Sequence, residues 1–193
     1  MRKFSFWTSC FFIFFLLTSP HHEMFSSTNA LSLDIINKTC KKCSDESIAF
    51  SYNFCSTSLE EIPVSHATDL RGLAIIAMEL ALENTTNTVS TIKSMLSNGN
   101  YSSVSSACLG DCFELYSDAV STLVDAIEAF LIGNYGIANV RLSAVMTATS
   151  TCDEGFREMK EVSPLAKHNY SLFQLCDIPL CIINLLSLAV KYS

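Results

Sequence analysis

The chain has 193 residues, of which 49% are hydrophobic and 16% charged, and its formal net charge at pH 7 is −7. This length is that of a single domain. An acidic chain without a stripe of Lys and Arg argues against nucleic acid and anionic membranes as partners, because both attract basic proteins.

The N-terminus has the composition of a secretory signal peptide. Two basic residues precede an apolar run over residues 4–17, which is shorter than the roughly 20 residues that a membrane-spanning helix needs. Cleavage after Ala30 predicts a signal peptide of residues 1–30, and an earlier cleavage near Ser19 is an alternative. We therefore predict a secreted protein that has no membrane segment in its mature form.

Residues 31–65 form the first predicted unit of the mature chain, a helical hairpin. Each half has a short apolar pattern at helical spacing, and Ser44-Asp45 or Asp45-Glu46 is the expected N-cap of the second helix. Pro63 ends the unit. Helices this short are marginal on their own, so we expect a disulfide to hold the hairpin together.

Residues 66–193 predict a bundle of four helices, the first of which runs from about Asp69 to Ser97. Apolar residues recur along it in steps of three and four, and Gly99 is a typical residue at a helix end. Residues 84–88 read NTTNT, which are poor helix formers. This segment predicts a weakened or locally bent stretch of helix.

The second and third bundle helices, predicted over about 102–132 and 135–160, have the clearest pattern in the chain. Gly133 separates them and reaches the left-handed backbone conformation without a Cβ penalty. Helices joined by so short a loop run antiparallel and side by side. Cys112 lies early in one helix and Cys152 late in the other, so both lie at the same end, where one disulfide could join them.

The fourth bundle helix is predicted from Ser163-Pro164 to Tyr192, since proline suits the first turn of a helix. Pro179 lies in its interior, where it removes one backbone hydrogen bond and clashes with the preceding turn. We therefore expect a kink near residues 175–177.

The chain has nine cysteines, and eight remain after removal of the signal peptide. Secretion makes them candidates for disulfides, but eight cysteines allow 105 pairings. Cys176 and Cys181 are five residues apart on one predicted helix, which places them too far apart to be bonded to each other. We expect both to be small buried thiols in the bundle core.

The sequence contains no recognisable catalytic or metal-binding motif. It has no G-x-S-x-G, no H-E-x-x-H and no glycine-rich phosphate loop. A four-cysteine zinc site built on Cys40-x-x-Cys43 would compete with disulfide formation for the same thiols. We predict a protein that is not an enzyme and that holds no cofactor and no metal.

Two phrases of the central hairpin, DCFELYSDAVSTLVDAIEAF and GNYGIANVRLSAVMTATSTCDEGF, resemble the plant invertase and pectin methylesterase inhibitor family, and above all its branch of pollen proteins described as invertase inhibitors. The resemblance extends from about Asp34 to Leu188. It implies an all-α fold, an up-and-down four-helix bundle preceded by an N-terminal helical hairpin, with one disulfide in each part. The pairs that it implies are Cys40–Cys55 and Cys112–Cys152. The cysteines that it leaves unassigned are Cys43, Cys108, Cys176 and Cys181.

The resemblance also implies a function, because members of this family inhibit plant cell-wall or vacuolar enzymes by protein–protein contact. The expected location is the apoplast, and the expected partner is pectin methylesterase or acid invertase. In pectin methylesterase inhibitors the contact uses the bundle helices. The corresponding outward positions of the central hairpin are Asp118, Ser121, Asp125, Asn139, Ser143 and Thr147.

One local feature favours pectin methylesterase over invertase as the target. Invertase inhibitors of this family carry a Pro-Lys-Phe element in the loop between the second and third bundle helices. Residues 134–137 of this chain read NYGI, so all three residues are missing. The alternative function is that of a non-inhibitory secreted bundle, either a pollen or seed protein or a carrier of a small apolar ligand in a cavity opened by Pro179 and residues 84–88.

Surface chemistry adds two expectations. An unpaired Cys43 or Cys108 near the surface would permit a disulfide-linked dimer. The chain also contains four N-x-[ST] sequons, each of which is a glycosylation candidate in a secreted protein. Their acceptors are Asn37, Asn84, Asn100 and Asn169.

Overall fold

The structure, a computed structural model, describes residues 24–191, with side chains described from 35 to 189. The predicted signal peptide lies outside the described residues except for 24–30, which begin the first helix. The described chain is helical throughout, apart from its connecting segments. Its α-helices are α1 Met24–Glu46, α2 Tyr52–Glu60, α3 Leu70–Asn98, α4 Ser103–Leu131, α5 Tyr135–Glu158 and α6 Ala166–Lys191, with a 3-10 turn at Pro63–Ala67.

The last four helices form a closed bundle, and α1 and α2 form the hairpin that precedes it. Helix α4 packs against α3 and α5, and α6 packs against the same two helices from the other side. Large side chains with almost no exposure fill the centre, as apolar stripes at helical spacing require. Their main members are Leu73, Met78, Ile92, Leu109, Tyr116, Leu123, Phe130, Leu142 and Phe156. The predicted all-α bundle with an N-terminal hairpin is confirmed.

Local signals set the ends of the bundle helices. The Asp69 carboxylate accepts a hydrogen bond of 2.9 Å from the Gly72 amide and caps α3, and the Ser102 hydroxyl oxygen caps α4 in the same way. Gly99 and Gly133 follow α3 and α4 at φ +63° and +81°, a backbone conformation that disfavours residues with a Cβ. The predicted boundaries of these helices are correct to within about three residues.

The N-cap predicted for α2 was wrong. Residues 44–46 belong to the last turns of α1, where Lys41 pairs with Asp45 at 3.0 Å and Ser44 donates to the Lys41 carbonyl. These contacts support the helix interior, as side chains four residues apart do. Helix α2 instead begins at Tyr52, with the Ser51 hydroxyl accepting from the Phe54 amide. The linker between the two helices is therefore residues 47–51.

The two segments that were expected to disturb helices both lie inside continuous ones. Helix α3 runs unbroken through residues 84–88, where the Thr85 and Thr88 hydroxyls donate to carbonyls four residues earlier. These bonds satisfy polar groups that the bundle buries. Helix α6 likewise continues through the buried Pro179. The bend in α3 and the kink in α6 stay predictions.

Three disulfides cross-link the described chain. Cys40–Cys55 joins α1 to α2 and Cys112–Cys152 joins α4 to α5, with Cα–Cα distances of 5.5 and 5.1 Å, and both are pairs that the family resemblance implied. A third bond joins the end of α1 to the middle of α6: Cys43 and Cys181 have Cα atoms 5.8 Å apart.

The third disulfide corrects two expectations about the remaining cysteines. Cys181 is bonded rather than a thiol, because α1 lies beside α6 and presents Cys43 to it. Cys176 is a buried thiol as expected, and burial raises its pKa. Neither Cys43 nor Cys108 offers a surface thiol for a linked dimer, since one is bonded and the other is buried.

One helix of the described chain, α6, is long and apolar enough to cross a membrane, since an 18-residue window within Ala166–Ala189 has a mean hydropathy of 1.8. Core helices of bundles meet the same criterion. Leu172, Ile178 and Ile182 of α6 have no exposed surface, and the helix packs against α3 and α5. Its apolar composition is accounted for by this packing.

Candidate protein-binding faces

The first candidate surface, called here the α4–α5 face, is the outer side of the central hairpin. Asp118, Ser121 and Asp125 form an exposed stripe along α4, because their spacing keeps them on one side of the helix. The Asp125 carboxylate lies 3.5 Å from the Arg141 guanidinium on α5. Both partners are about half exposed, so the pair adds little to stability and remains available to a partner protein.

Two of the three predicted positions on α5 face α6 rather than α4. Asn139 donates a hydrogen bond of 3.0 Å to Asn184 on α6, and Asn139 and Ser143 line a groove between these helices. Thr147 is exposed and donates to the Ser143 carbonyl. The six predicted interface residues are therefore accessible, but they lie on two different faces.

The second candidate surface is the α5–α6 groove, a hollow of about 600 Å³. The end of α1 and the 47–51 linker form one wall, and side chains of α5 and α6 form the other. Its polar and aromatic lining includes Glu46, Ser47, Asn139, Ser143, Phe173 and Asp177. The contribution of Glu46 and Ser47 was not predicted, because it depends on where the hairpin rests against the bundle.

A smaller hollow of about 350 Å³ continues the groove on the other side of the linker. Ile48, Ala49 and Phe173 line both hollows, so the linker crosses between them. The smaller hollow adds Asp153 and Tyr170 to the lining. Together the two hollows form a long channel along the bundle with the linker as a bridge.

The loop between α4 and α5 is tied to the start of α3. The Arg71 guanidinium donates to the Leu131 carbonyl at 2.9 Å and to the Tyr135 hydroxyl at 3.2 Å, and it lies 5.4 Å from the centre of the Phe130 ring. The Phe130 and Tyr135 rings are 5.2 Å apart. Cation–π and aromatic contacts of this kind fix the loop. Ile132 projects from it with 82% of its surface exposed.

The described residues offer little for catalysis or metal binding. His66 Nε2 lies 2.9 Å from the Glu60 carbonyl oxygen, and His168 Nδ1 lies 3.4 Å from the Thr88 hydroxyl, so each histidine contacts a different neighbour. No group of three or more His, Cys, Asp or Glu side chains in the described part of the chain is placed to hold a metal ion.

The four sequon asparagines have different environments. Asn37 Oδ1 accepts a hydrogen bond of 2.8 Å from the Tyr52 hydroxyl, and the half-buried Asn84 donates to Ser171 at 3.4 Å. Asn100 is exposed in the loop between α3 and α4. Asn169 is buried, with hydrogen bonds to three neighbouring side chains.

Sequence comparison relates this chain to a known protein family. A family profile described as "Plant invertase/pectin methylesterase inhibitor" matches residues 34–182. A Platanus acerifolia protein named "Putative invertase inhibitor" is 38% identical over 157 residues, which are 81% of this chain and 87% of the relative. "Pectinesterase inhibitor 12" of Arabidopsis thaliana is 30% identical over 89% of this chain and 99% of its own length.

Structure comparison gives the same fold. A crystal structure of a mutant form of a pectin methylesterase inhibitor from Arabidopsis superimposes with a TM-score of 0.66. The match covers 77% of this chain and 96% of the other, at 22% sequence identity. At this identity the likeness supports the helical-bundle fold alone.

Proposed function

Since the chain belongs to the plant invertase/pectin methylesterase inhibitor family, whose members are inhibitor proteins rather than enzymes, we propose that it is a secreted inhibitor of a plant cell-wall carbohydrate-modifying enzyme. Pectin methylesterase is the favoured target and acid invertase the second. The protein acts in the apoplast, where it blocks the target's substrate cleft by protein–protein contact.

The observation that carries this proposal is the rigid, exposed α4–α5 hairpin. The Cys112–Cys152 bond joins its two helices at one end, and Arg71 fixes the loop at the other. A surface held at both ends loses little conformational entropy when it binds. Its outer residues, among them Asp118 and Asp125, are exposed and so accessible to a partner.

The α4–α5 loop supports pectin methylesterase as the first target. The loop lacks the Pro-Lys-Phe element, and the Tyr135 side chain is held against Phe130 and Arg71. Because Asn134 caps α5 through a hydrogen bond from the Ile137 amide, its side chain is also engaged. The loop therefore closes the bundle, and the helix faces are left to make the contact.

Acid invertase is the second candidate because of Ile132 and because of the relatives. Ile132 projects from the tip of this loop with 82% of its surface exposed, and it could enter an apolar pocket on a target. Two Platanus proteins at 38% and 37% identity carry invertase inhibition in their names. Both enzymes therefore belong in the same test.

A carrier of a small apolar ligand is the non-inhibitory alternative. It requires a cavity opened by Pro179 or by residues 84–88. Thr85 and Thr88 are buried and hydrogen-bonded, and the grooves described above are lined by other residues. Native mass spectrometry of the secreted protein tests this alternative, since a bound lipid would support it.

The deciding experiment is inhibition of purified pectin methylesterase and of purified cell-wall invertase by the mature chain, side by side at mildly acidic pH. We expect inhibition of pectin methylesterase. Inhibition of invertase alone would reverse the order of the two targets, and no inhibition of several isoforms of either enzyme would overturn the proposal.

Three exposed serines allow the binding face to be mapped. Ser121→Arg places a long charged side chain on the α4–α5 face, and Ser143→Arg places one in the α5–α6 groove. Ser90→Arg on α3 is the matched control, since Ser90 is also exposed and donates to its own helix backbone. We expect one of the first two variants to weaken inhibition at least tenfold, while Ser90→Arg inhibits as the unmodified protein does.

A further inference from the structure

Ile48 is the most exposed large apolar side chain of the described chain, with a relative accessibility of 107%. It lies in the linker that crosses the channel between α5 and α6. Isolated exposed apolar residues are common on protein surfaces and by themselves carry no function. What distinguishes Ile48 is how firmly the chain on both sides of it is fixed.

The residues before Ile48 are anchored to the bundle. The Cys43–Cys181 disulfide attaches the end of α1 to α6, four residues before the linker begins at Ser47. The Ser47 hydroxyl then donates a hydrogen bond of 2.5 Å to the Asp177 carboxylate, which is also on α6. Charge-assisted bonds of this kind are short and strong.

The residues after Ile48 are anchored as well. The Ser47 oxygen accepts a hydrogen bond of 2.9 Å from the Ala49 amide, which closes a tight turn around Ile48. Phe50 is buried in the core, and Ser51 caps α2. The linker therefore holds Ile48 in solvent at a fixed position, which reduces the entropy lost when a partner takes it up.

The charged side chains that line the two hollows beside Ile48 all have the same sign. The hollows on either side of the linker contain the carboxylates of Glu46, Asp177 and Asp153, and no Lys, Arg or His lines either of them. Phe173, which both hollows share, offers an aromatic surface on which a guanidinium can stack. The complement of this surface is an apolar pocket with basic side chains around its rim.

We propose that residues 47–50 form an insertion loop, in which Ile48 enters an apolar pocket of the inhibited enzyme while basic side chains around that pocket occupy the two hollows. This inference rests on the proposed inhibitory function and adds a second contact to it, beside the bundle faces. The disulfide between Cys43 and Cys181 holds the N-terminal end of this loop against α6.

The test compares Ile48→Ser with Val162→Ser against whichever enzyme the unmodified protein inhibits. Val162 is the matched control, because it is also an apolar loop residue and is 91% exposed. Burial of one isoleucine at an interface predicts that Ile48→Ser raises the inhibition constant roughly 10- to 100-fold. Val162→Ser is expected to leave it within about twofold of the unmodified protein.

The charge of the rim is tested by a second matched pair, Glu46→Gln and Glu60→Gln, both at exposed ends of hairpin helices. Glu46→Gln is expected to weaken inhibition and to reduce its dependence on salt, and Glu60→Gln to change neither. Hydrogen exchange of the complex provides a direct readout, since the amides of residues 47–50 should exchange more slowly when the enzyme is bound.

The outcomes separate this inference from the proposed function. If the unmodified protein inhibits and Ile48→Ser inhibits equally well, the insertion loop is overturned and the inhibitory function stands. If the unmodified protein inhibits neither enzyme, both fall together. If Ile48→Ser instead abolishes self-association in sedimentation without changing inhibition, Ile48 contacts a second copy of the chain and the proposal is wrong.

Discussion

The Tyr116 hydroxyl donates a hydrogen bond of 2.7 Å to the Asn169 side-chain oxygen in the interior of the bundle. Asn169 extends this network, because its side-chain amide donates hydrogen bonds to the Asp153 carboxylate and to the Cys152 sulfur. One buried network thus joins α4, α5 and α6 beside the Cys112–Cys152 disulfide. Burial, and then the charge of Asp153, raise the pKa of Tyr116, so that the phenol stays protonated and keeps donating.

Tyr116→Phe removes the donor and leaves the Asn169 oxygen buried without a partner. An unsatisfied buried polar group costs about 1–3 kcal/mol, and we expect the free energy of unfolding to fall by this amount. Urea denaturation measures it. Tyr170→Phe is the control, because Tyr170 is 62% exposed and should lose almost nothing. Equal losses in both variants would show that the network is not what stabilises the core.

Glycosylation should distinguish the four sequons. We expect a glycan on Asn100, which is exposed in a loop, and none on Asn169, because a glycan there would break the network with Tyr116 and Asp153. Peptide mapping of the protein secreted from plant cells, after enzymatic deglycosylation in water labelled with heavy oxygen, marks each occupied site, because the labelled oxygen enters the aspartate that replaces the glycosylated asparagine. An occupied Asn169 in folded, secreted protein would contradict the structure.

Removal of the third disulfide should be the most costly loss of a cross-link. Cys43–Cys181 closes a loop of 138 residues, against 15 for Cys40–Cys55. Chain-entropy estimates give about 4–5 kcal/mol for the long loop and about 3 kcal/mol for the short one. Chemical denaturation of Cys43→Ser/Cys181→Ser and Cys40→Ser/Cys55→Ser should therefore show the first double variant to be less stable. The reverse order would indicate that the hairpin holds its place on the bundle without the bond.

Thiol titration checks the pairing independently. We expect no reaction of the native mature protein with a thiol reagent at pH 8, because Cys108 and Cys176 are buried and burial raises the pKa of Cys176. Two thiols per chain should react after unfolding in denaturant without reductant. Four would mean that one of the three disulfides is not formed, and mapping of the labelled cysteines would show whether it is Cys43–Cys181.

Two glycines near the start of α5, one before the helix and one inside it, should respond differently to an added methyl group. Gly133→Ala forces a residue with a Cβ to φ +81° and should lower stability by about 1 kcal/mol. Gly136→Ala lies inside the helix, where an added Cβ meets no atom within 4 Å, and should cause no loss. Thermal unfolding of the pair tests whether the α4–α5 turn depends on the left-handed residue.

The features that were predictable from sequence are those with local causes. Asp69, Gly99 and Gly133 mark helix ends through their own side chains or their lack of one, so the bundle helices could be read directly. The end of α1 could not, because Ser44 and Asp45 are typical N-cap residues and yet lie inside this helix. The contacts of Lys41 with Ser44 and Asp45 support the helix interior, and so does the Cys43–Cys181 bond to α6, which joins residues 138 apart.

In the candidate site too, the features with local causes were predictable and those that depend on tertiary packing were not. Asp118, Ser121 and Asp125 were correctly placed on an outer stripe, since helical periodicity alone determines it. Asn139 and Ser143 are accessible too, but they face α6 rather than α4, and this depends on how three helices meet. The channel crossed by the 47–51 linker depends on where the hairpin docks, so no pattern in the sequence could have indicated it.

Two of the disulfides also determine whether a protease can separate this protein into fragments. The spans closed by Cys40–Cys55 and Cys43–Cys181 overlap and together cover every peptide bond from residue 40 to residue 181. A single cut anywhere in that stretch, including the exposed loops at Asn100 and Val162, would leave both fragments covalently joined. A nicked molecule would keep its bundle and its surfaces, and would separate into two pieces only after reduction.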